Sequence, residues 1–379
     1  MINLRGIAAF LALLGAAAES HAAGVTIGVV APQNGPLALL GAQITAGAGF
    51  EIQRSGNTLV AINETCEDNS GAAVADALVN AKVQVAIGFL CSETLEGALP
   101  KLKDANIPAI TVSVRSRILM EDALKNGWPL FRAAPADGAE AAKIIEMILK
   151  DWAADPIALI EDGTIHGREL TEAVRNALEQ NGLKPVFTDT YRPGQEQQIS
   201  LVRRLKRAGA TRVFIGGDRN DVAVIARDAK AENIQLSILG GDAMRAADQP
   251  LPLDSGVRAV ALPEYALLPE GTAAADALHA KGIEPEGYVL PSLAAALIAG
   301  QAGQAAAAAG KPLQETLLGT TFQTPVGTIA FTGAHELSQN PYRLLEWRGN
   351  GFFHLPRRRN ERRACLEFRP RAQMAAHTE

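Results

Sequence analysis

Val83-Gln84-Val85-Ala86-Ile87-Gly88-Phe89-Leu90-Cys91-Ser92-Glu93 sets a short apolar run directly before the opening of a helical stretch. Residues 83–88 have the length and composition of a buried strand, and 93–106 has helical spacing. Outward from this unit the same alternation repeats. Upstream, 25–30 reads as a strand, 41–54 as a helix, 59–63 as a strand and 71–80 as a helix; downstream, 107–113 is the next strand. A second series follows, with helices at 138–152, 167–181, 195–208 and 220–232. Its strands fall at 156–161, 185–190, 213–217 and 235–240, and 257–262 reads as a last strand before the chain changes direction. Alternating strands and helices imply parallel strands with right-handed crossovers. Two such series predict an α/β protein of two doubly wound lobes. Ligands of such sheets sit outside the carboxyl ends of the strands, so two facing lobes would make one cleft.

Length agrees, because 379 residues exceed one typical core of roughly 100–200. The formal net charge of -5 gives no global reason to bind nucleic acid, and 5% aromatic residues leave little for base or glycan stacking. At the N-terminus, Arg5 precedes the uncharged apolar run 7–18, and Ser20-His21-Ala22 fits a small-x-small cleavage site. This reads as an export signal over 1–22, too short to span a bilayer; the alternative is an ordinary buried helix. Of later segments, 290–309 comes closest to a membrane span, but Gly300, Gln301, Gly303 and Gln304 are expected to break it. An exported chain meets an oxidising compartment, in which Cys66 and Cys91 could pair or remain buried thiols, while Cys365 lies apart. Beyond Leu355, residues 356–379 carry seven arginines against three glutamates, a local net of +4 without apolar period. They read as a disordered basic tail, or as a contact for an anionic surface.

No catalytic constellation emerges. The six histidines make neither a His-x-x-x-His pair nor a zinc spacing with cysteine, and no Walker loop or Gly-x-Ser-x-Gly elbow occurs. Gly47-Ala48-Gly49 lies inside a helical stretch and reads as packing. What remains is polar residues at predicted strand ends. Ser92 can cap the following helix or help its free N–H groups hold a carboxylate. Ser113, Arg115, Asp218, Arg219 and Asp242 follow other strands, and each can equally be a solvated loop residue.

Those residues carry a resemblance. Ile27-Gly28-Val29-Val30-Ala31-Pro32-Gln33-Asn34-Gly35-Pro36 resembles the opening strand and loop of the branched-chain amino-acid-binding family, the substrate-binding components of ABC transporters. Thr65-Cys66-Glu67-Asp68 and Ile87-Gly88-Phe89-Leu90-Cys91-Ser92 are similar to its two disulfide half-sites, and Asp104-Ala105-Asn106-Ile107-Pro108 to its helix-to-strand return. Gly163-Thr164-Ile165-His166-Gly167 and Val213-Phe214-Ile215-Gly216-Gly217 resemble its second-lobe loops, and the likeness runs over about 25–355. The resemblance implies a type I periplasmic binding protein: two Rossmann-like lobes joined by three crossovers, with lobes at 23–133 plus 262–332 and 134–261 plus 333–355. It implies a Cys66–Cys91 disulfide, a ligand carboxylate on Ser92, a backbone contact from Ser113, and Asp242 on an ammonium in place of a family glutamate.

The departures bear on the ligand. Arg115 stands where the family has a threonine, and Leu40, His166 and Asp218 stand at aromatic positions. Buried charge must be answered by the ligand or by a neighbour. Arg115 therefore either meets an extra ligand carboxylate or pairs with Asp218. The expectation is a periplasmic, monomeric, non-enzymatic protein without cofactor or metal. It would take an amino-acid-like or carboxylate ligand to an ABC permease and leave nucleic acid alone. A sensor of the same fold and a nucleotide-binding α/β enzyme are the alternatives.

Overall fold

The computed structural model describes residues 24–246, 251–349 and 351–355. The leader expected at 1–22, the basic tail at 356–379 and Cys365 lie outside the described residues. The chain divides into two compact units. Unit 1 holds the described residues up to Ala134 together with Pro269–Leu337, and unit 2 holds Pro135–Leu268 and the residues from Ser338 onward.

Unit 1 opens with β1 (Thr26–Ala31), α1 (Ala38–Arg54), β2 (Thr58–Asn63), α2 (Ser70–Asn80), β3 (Val85–Gly88), α3 (Ser92–Asp104), β4 (Ala109–Thr111), α4 (Arg117–Asn126) and β5 (Leu130–Arg132). The sheet order is β2-β1-β3-β4-β5, with every pair parallel. Alternate residues of β1 explain why helices cover both faces. Ile27, Val29 and Ala31 join one core with Ile44, Ala48 and Ile52 of α1, and Val30 joins the other with Val74 and Leu78 of α2. Each such aliphatic side chain contributes roughly 1.5–3 kcal/mol on full burial. The pair α4 and β5 was not foreseen, although its signals are local. The Ser116 hydroxyl accepts from Leu119 N at 3.2 Å to start α4, and Gly127 ends it at φ 64°, in the left-handed region glycine favours.

Unit 2 continues with α5 (Ala139–Asp151), β6 (Ile157–Glu161), α6 (Ile165–Gln180), β7 (Phe187–Thr190), α7 (Ile199–Arg207), β8 (Arg212–Gly216), α8 (Arg219–Ala231), β9 (Ser237–Gly240) and β10 (Arg258–Ala261). The chain then supplies unit 1 with α9 (Pro269–His279), α10 (Val289–Ala309), α11 (Leu313–Gly319) and the hairpin β11 (Thr321–Thr324) and β12 (Gly327–Ala330). It closes unit 2 with β13 (Arg343–Arg348) and β14 (Gly351–His354). The order of the seven strands is β14-β13-β10-β9-β8-β6-β7. β10 is the last strand before the chain leaves for unit 1, but two later strands complete the sheet, which is not wholly parallel: β13 runs antiparallel to β10, and β14 to β13. Two consecutive strands joined by a tight turn can only pair antiparallel, since a parallel pair needs a long crossover.

The stretch 290–309 also corrects the sequence reading. It lies in one unbroken 21-residue helix, long and apolar enough to cross a membrane by length and composition, and mostly buried. Gln301 and Gln304 face outward, while Gly300 and Gly303 face inward. A Cβ on Gly303 would lie 2.7 Å from Val25 Cγ2, and one on Gly300 would lie 2.5 Å from Asn57 Nδ2. The glycines admit the first strand and its neighbouring turn; they do not interrupt the helix.

Gly47 has the packing role its position predicts, because a Cβ there would lie 1.9 Å from the Val289 carbonyl oxygen at the start of α10. Alanine is the better helix former by about 1 kcal/mol. Gly47→Ala is nonetheless expected to destabilise the protein by roughly 1–3 kcal/mol in urea unfolding. A variant as stable as the parent would contradict this close approach.

Candidate functional site

In unit 1 the chain runs from β1 to β2 on one side and returns to β3 on the other, so the switch of direction lies between β1 and β3. In unit 2 the switch lies between β6 and β8. The carboxyl ends of the strands beside such a switch form the crevice in which doubly wound sheets hold ligands. Leu40 is in the first turn of α1 after β1, and Ser92 opens α3 after β3. His166 is at the start of α6 after β6, and Asp218 caps α8 after β8. Four of the predicted residues thus sit beside the two switch points, with Ser113 and Arg115 after β4 and Asp242 after β9.

The unit 1 edge is tied together below these residues. The carboxylate of Glu64, 1% exposed, accepts from Leu90 N at 2.8 Å and Cys91 N at 3.1 Å. Cys66 and Cys91 form a disulfide in the same place. The Ser113 hydroxyl donates to the Phe89 carbonyl at 2.7 Å and reaches Leu90 O at 3.3 Å. Its side chain is therefore occupied in holding the turn that leads to Ser92. The α3 N-cap is Cys91, which makes no side-chain cap bond, and among the described residues no hydrogen bond occupies the half-buried Ser92 hydroxyl. Its alternative role as the helix cap is accordingly not the one it plays.

Arg115 is exposed, but its backbone is fixed. Arg132, 1% exposed, donates from Nη1 to Arg115 O at 2.5 Å and to Ser116 O at 3.0 Å. Arg132 Nε donates to Glu336 Oε2 at 2.8 Å and its Nη2 to Glu336 Oε1, a two-bond pairing suited to a buried guanidinium. The Arg115 charge also acts on Tyr288, whose hydroxyl pKa burial raises and Arg115 partly lowers.

In unit 2 a residue missed in the sequence joins two that were found. Glu140, on the first turn of α5, accepts from Asp242 N at 2.7 Å through Oε1, and its Oε2 lies 4.0 Å from His166 Nε2. Asp242 Oδ1 in turn accepts from Leu262 N at 2.9 Å. Arg219 follows a strand as expected but turns inward. It is 2% exposed, donates to Met244 O at 2.9 Å and lies over the Trp347 ring at 4.4 Å. Asp218 stays exposed, and its Oδ1 accepts from Asn220 N at 2.8 Å. Glu64, Glu140 and Tyr288 had no sequence signal, because each comes from an element distant in sequence from the residues it serves.

The comparisons with known proteins bear on the family and the fold. Residues 24–351 match the family described as periplasmic binding protein. The Leu/Ile/Val-binding protein homolog 3 of Brucella melitensis is 25% identical over 365 residues, spanning 91% of this chain and 97% of the relative. The leucine-, isoleucine-, valine-, threonine-, and alanine-binding protein of Pseudomonas aeruginosa is 26% identical over 361 residues, spanning 91% and 96%. An ABC transporter substrate-binding protein from Sphaerobacter thermophilus shares the fold at a TM-score of 0.64 and 18% identity, covering 87% of this chain and 96% of the other.

Burial raises the Glu64 carboxyl pKa to about 7 from 4.5, against the lowering pull of the Leu90 and Cys91 N–H groups and with a further push from Glu93. Between those values the folded state holds the proton and the unfolded state does not, so the Glu64 contribution to stability falls as pH rises through that window. Unfolding free energies between about pH 4.5 and 8 are expected to show this fall in the parent and to lack it in Glu64→Gln. Parallel pH profiles for the two proteins would contradict it.

Proposed function

Because the chain belongs to the periplasmic binding protein family, we propose that it captures an amino-acid-like or small carboxylate ligand for delivery to an ABC permease. The family consists of solute-binding transport components and not enzymes. The observation that carries the ligand class is the Ser92 region. There the Ser92 hydroxyl opens α3 without an internal bond, and N–H groups at a helix start favour a carboxylate. Arg115 follows the next strand of the same sheet, with its backbone held by Arg132, and adds positive charge for the ligand. On unit 2, the Asp242 and Glu140 carboxylates suit an ammonium. The relatives from Brucella melitensis and Pseudomonas aeruginosa, named for the amino acids they bind, support the same class. Residues 1–22 act in this account as the export signal that brings the protein to the periplasm. Capture needs no bond chemistry, only differential affinity for the ligand-bound state.

Thermal unfolding against a panel of amino acids, dicarboxylates and aromatic acids tests the proposal. A ligand bound only by the folded protein stabilises it by about 2.7 kcal/mol at 100 times its Kd. A hit among amino acids that Ser92→Ala weakens is the expected result. A hit confined to acids without an ammonium would retain capture but remove the ammonium role of Asp242. No shift with any of them would contradict the ligand class.

A further inference from the structure

We infer that the unit 2 part of this site selects a ligand bearing a cationic side group, an ammonium or guanidinium, held by Asp218 with Asp162, Asp221 and the Tyr191 hydroxyl; this rests on the capture reading above. Asp162 directly follows β6 and Asp218 lies two residues beyond β8, so both flank the switch point of the sheet. Tyr191 directly follows β7, and Asp221 is in the first turn of α8. The carboxyl ends of β6 and β8 therefore deliver negative charge to one place, and that of neighbouring β7 adds the Tyr191 hydroxyl.

That charge is not neutralised within the described protein. Asp162 Oδ1 accepts from Thr164 N at 2.9 Å and Thr164 Oγ1 at 2.6 Å. Asp218 Oδ1 accepts from Asn220 N, and Asp221 Oδ1 from Gly194 N at 2.8 Å. Glu161 beside them accepts from Gly163 N and Thr190 Oγ1. Every donor is a neutral amide or hydroxyl, and among the described residues none of these carboxylates has an ion-pair partner. Arg219, the adjacent cation in sequence, is directed at Met244 O and the Trp347 ring. Arg168 donates from Nη2 to Gly163 O at 3.3 Å.

An independent observation points to the same place. Tyr191 is 3% exposed, and its hydroxyl has no hydrogen-bond partner among the described residues. A Cβ on Gly217 would lie 2.0 Å from that hydroxyl and 3.3 Å from Asp162 Cβ, so the hydroxyl, Asp162 and the backbone before Asp218 converge. The charges of Asp221, Asp162, Asp218 and Glu161 all act on the Tyr191 hydroxyl. A buried, unpartnered hydroxyl among uncompensated carboxylates is costly unless a ligand answers it. A cation with several N–H donors can bond these acceptors together. The spacing favours an organic cation over a bare metal ion. Among the described residues, the acidic and sulfur ligand atoms that converge in a group of three within 4.8 Å are those of Glu64 and the Cys66–Cys91 disulfide, not these.

The test is calorimetric titration of the full chain, freed of carried-over ligand by unfolding and refolding, with L-arginine, L-lysine, L-leucine, L-glutamate and calcium chloride. L-arginine or L-lysine is expected to bind at least about 10-fold more tightly than L-leucine, the scale of one hydrogen bond to a charged group. Asp218→Asn, which keeps a side chain able to cap α8, is expected to lose about 10- to 100-fold in binding the basic amino acid and clearly less in binding L-leucine. L-leucine binding as tightly as L-arginine and L-lysine, or an equal loss for all ligands in the variant, would overturn the inference and leave capture standing. A response to calcium with none to the basic amino acids would overturn it in favour of a metal ion. A folded protein that binds no amino acid at all would overturn this inference, and capture itself would fall only if the small carboxylic acids of the thermal-unfolding panel also gave no shift.

Discussion

Parallel strands all end on one edge of their sheet, and in a doubly wound sheet the helices that follow leave that edge in two directions. Residues placed just beyond the last strand position are then gathered without any sequence proximity. Leu40 and Ser92 are 52 positions apart and His166 and Asp218 also 52, yet each pair flanks one switch point. The gathered groups are short-range devices: a serine at a helix start, a carboxylate beside a loop N–H, an arginine in a turn. Their usefulness depends on the strands beneath them being rigid, which the two-faced burial of β1, β3, β6 and β8 supplies.

Below the edge of unit 1, a set of buried polar links holds the loops in place. Glu64 binds the two N–H groups before Ser92, the disulfide joins the same segment to the end of β2, and the Ser113 hydroxyl grips the turn from the other side. Arg132 and Glu336 do the same for the backbone of Arg115. Such links cost desolvation, so they add little to net stability, and they fix the geometry of the loops that carry the proposed ligand contacts.

The alternation of short apolar runs and helical spacing made the two α/β series legible, because parallel buried strands read as continuous apolar segments. Legibility failed for β13 and β14 at the rim of the sheet: Arg343-Leu344-Leu345-Glu346-Trp347-Arg348 of β13 mixes charge with apolar residues, and β14 is only four residues long. It failed in the opposite sense for α10, where glycines suggest a break by propensity but serve close packing, a tertiary effect that no local rule contains. For the candidate site, the placement of residues directly after strands was legible from position alone. Glu64, Glu140 and Tyr288 were not, since their importance comes from the partners the fold brings to them. Arg219 was misjudged for the same reason: adjacency to Asp218 says nothing about which way the side chain turns.

Native mass spectrometry of the protein isolated from its own cell envelope tests the central claim most directly. The account predicts a single non-covalent adduct with the mass of one small amino-acid-like molecule, released chemically unchanged on denaturation. A protein that carries no adduct and acquires none from amino acids or small carboxylic acids, or that returns an added ligand chemically altered, would contradict it.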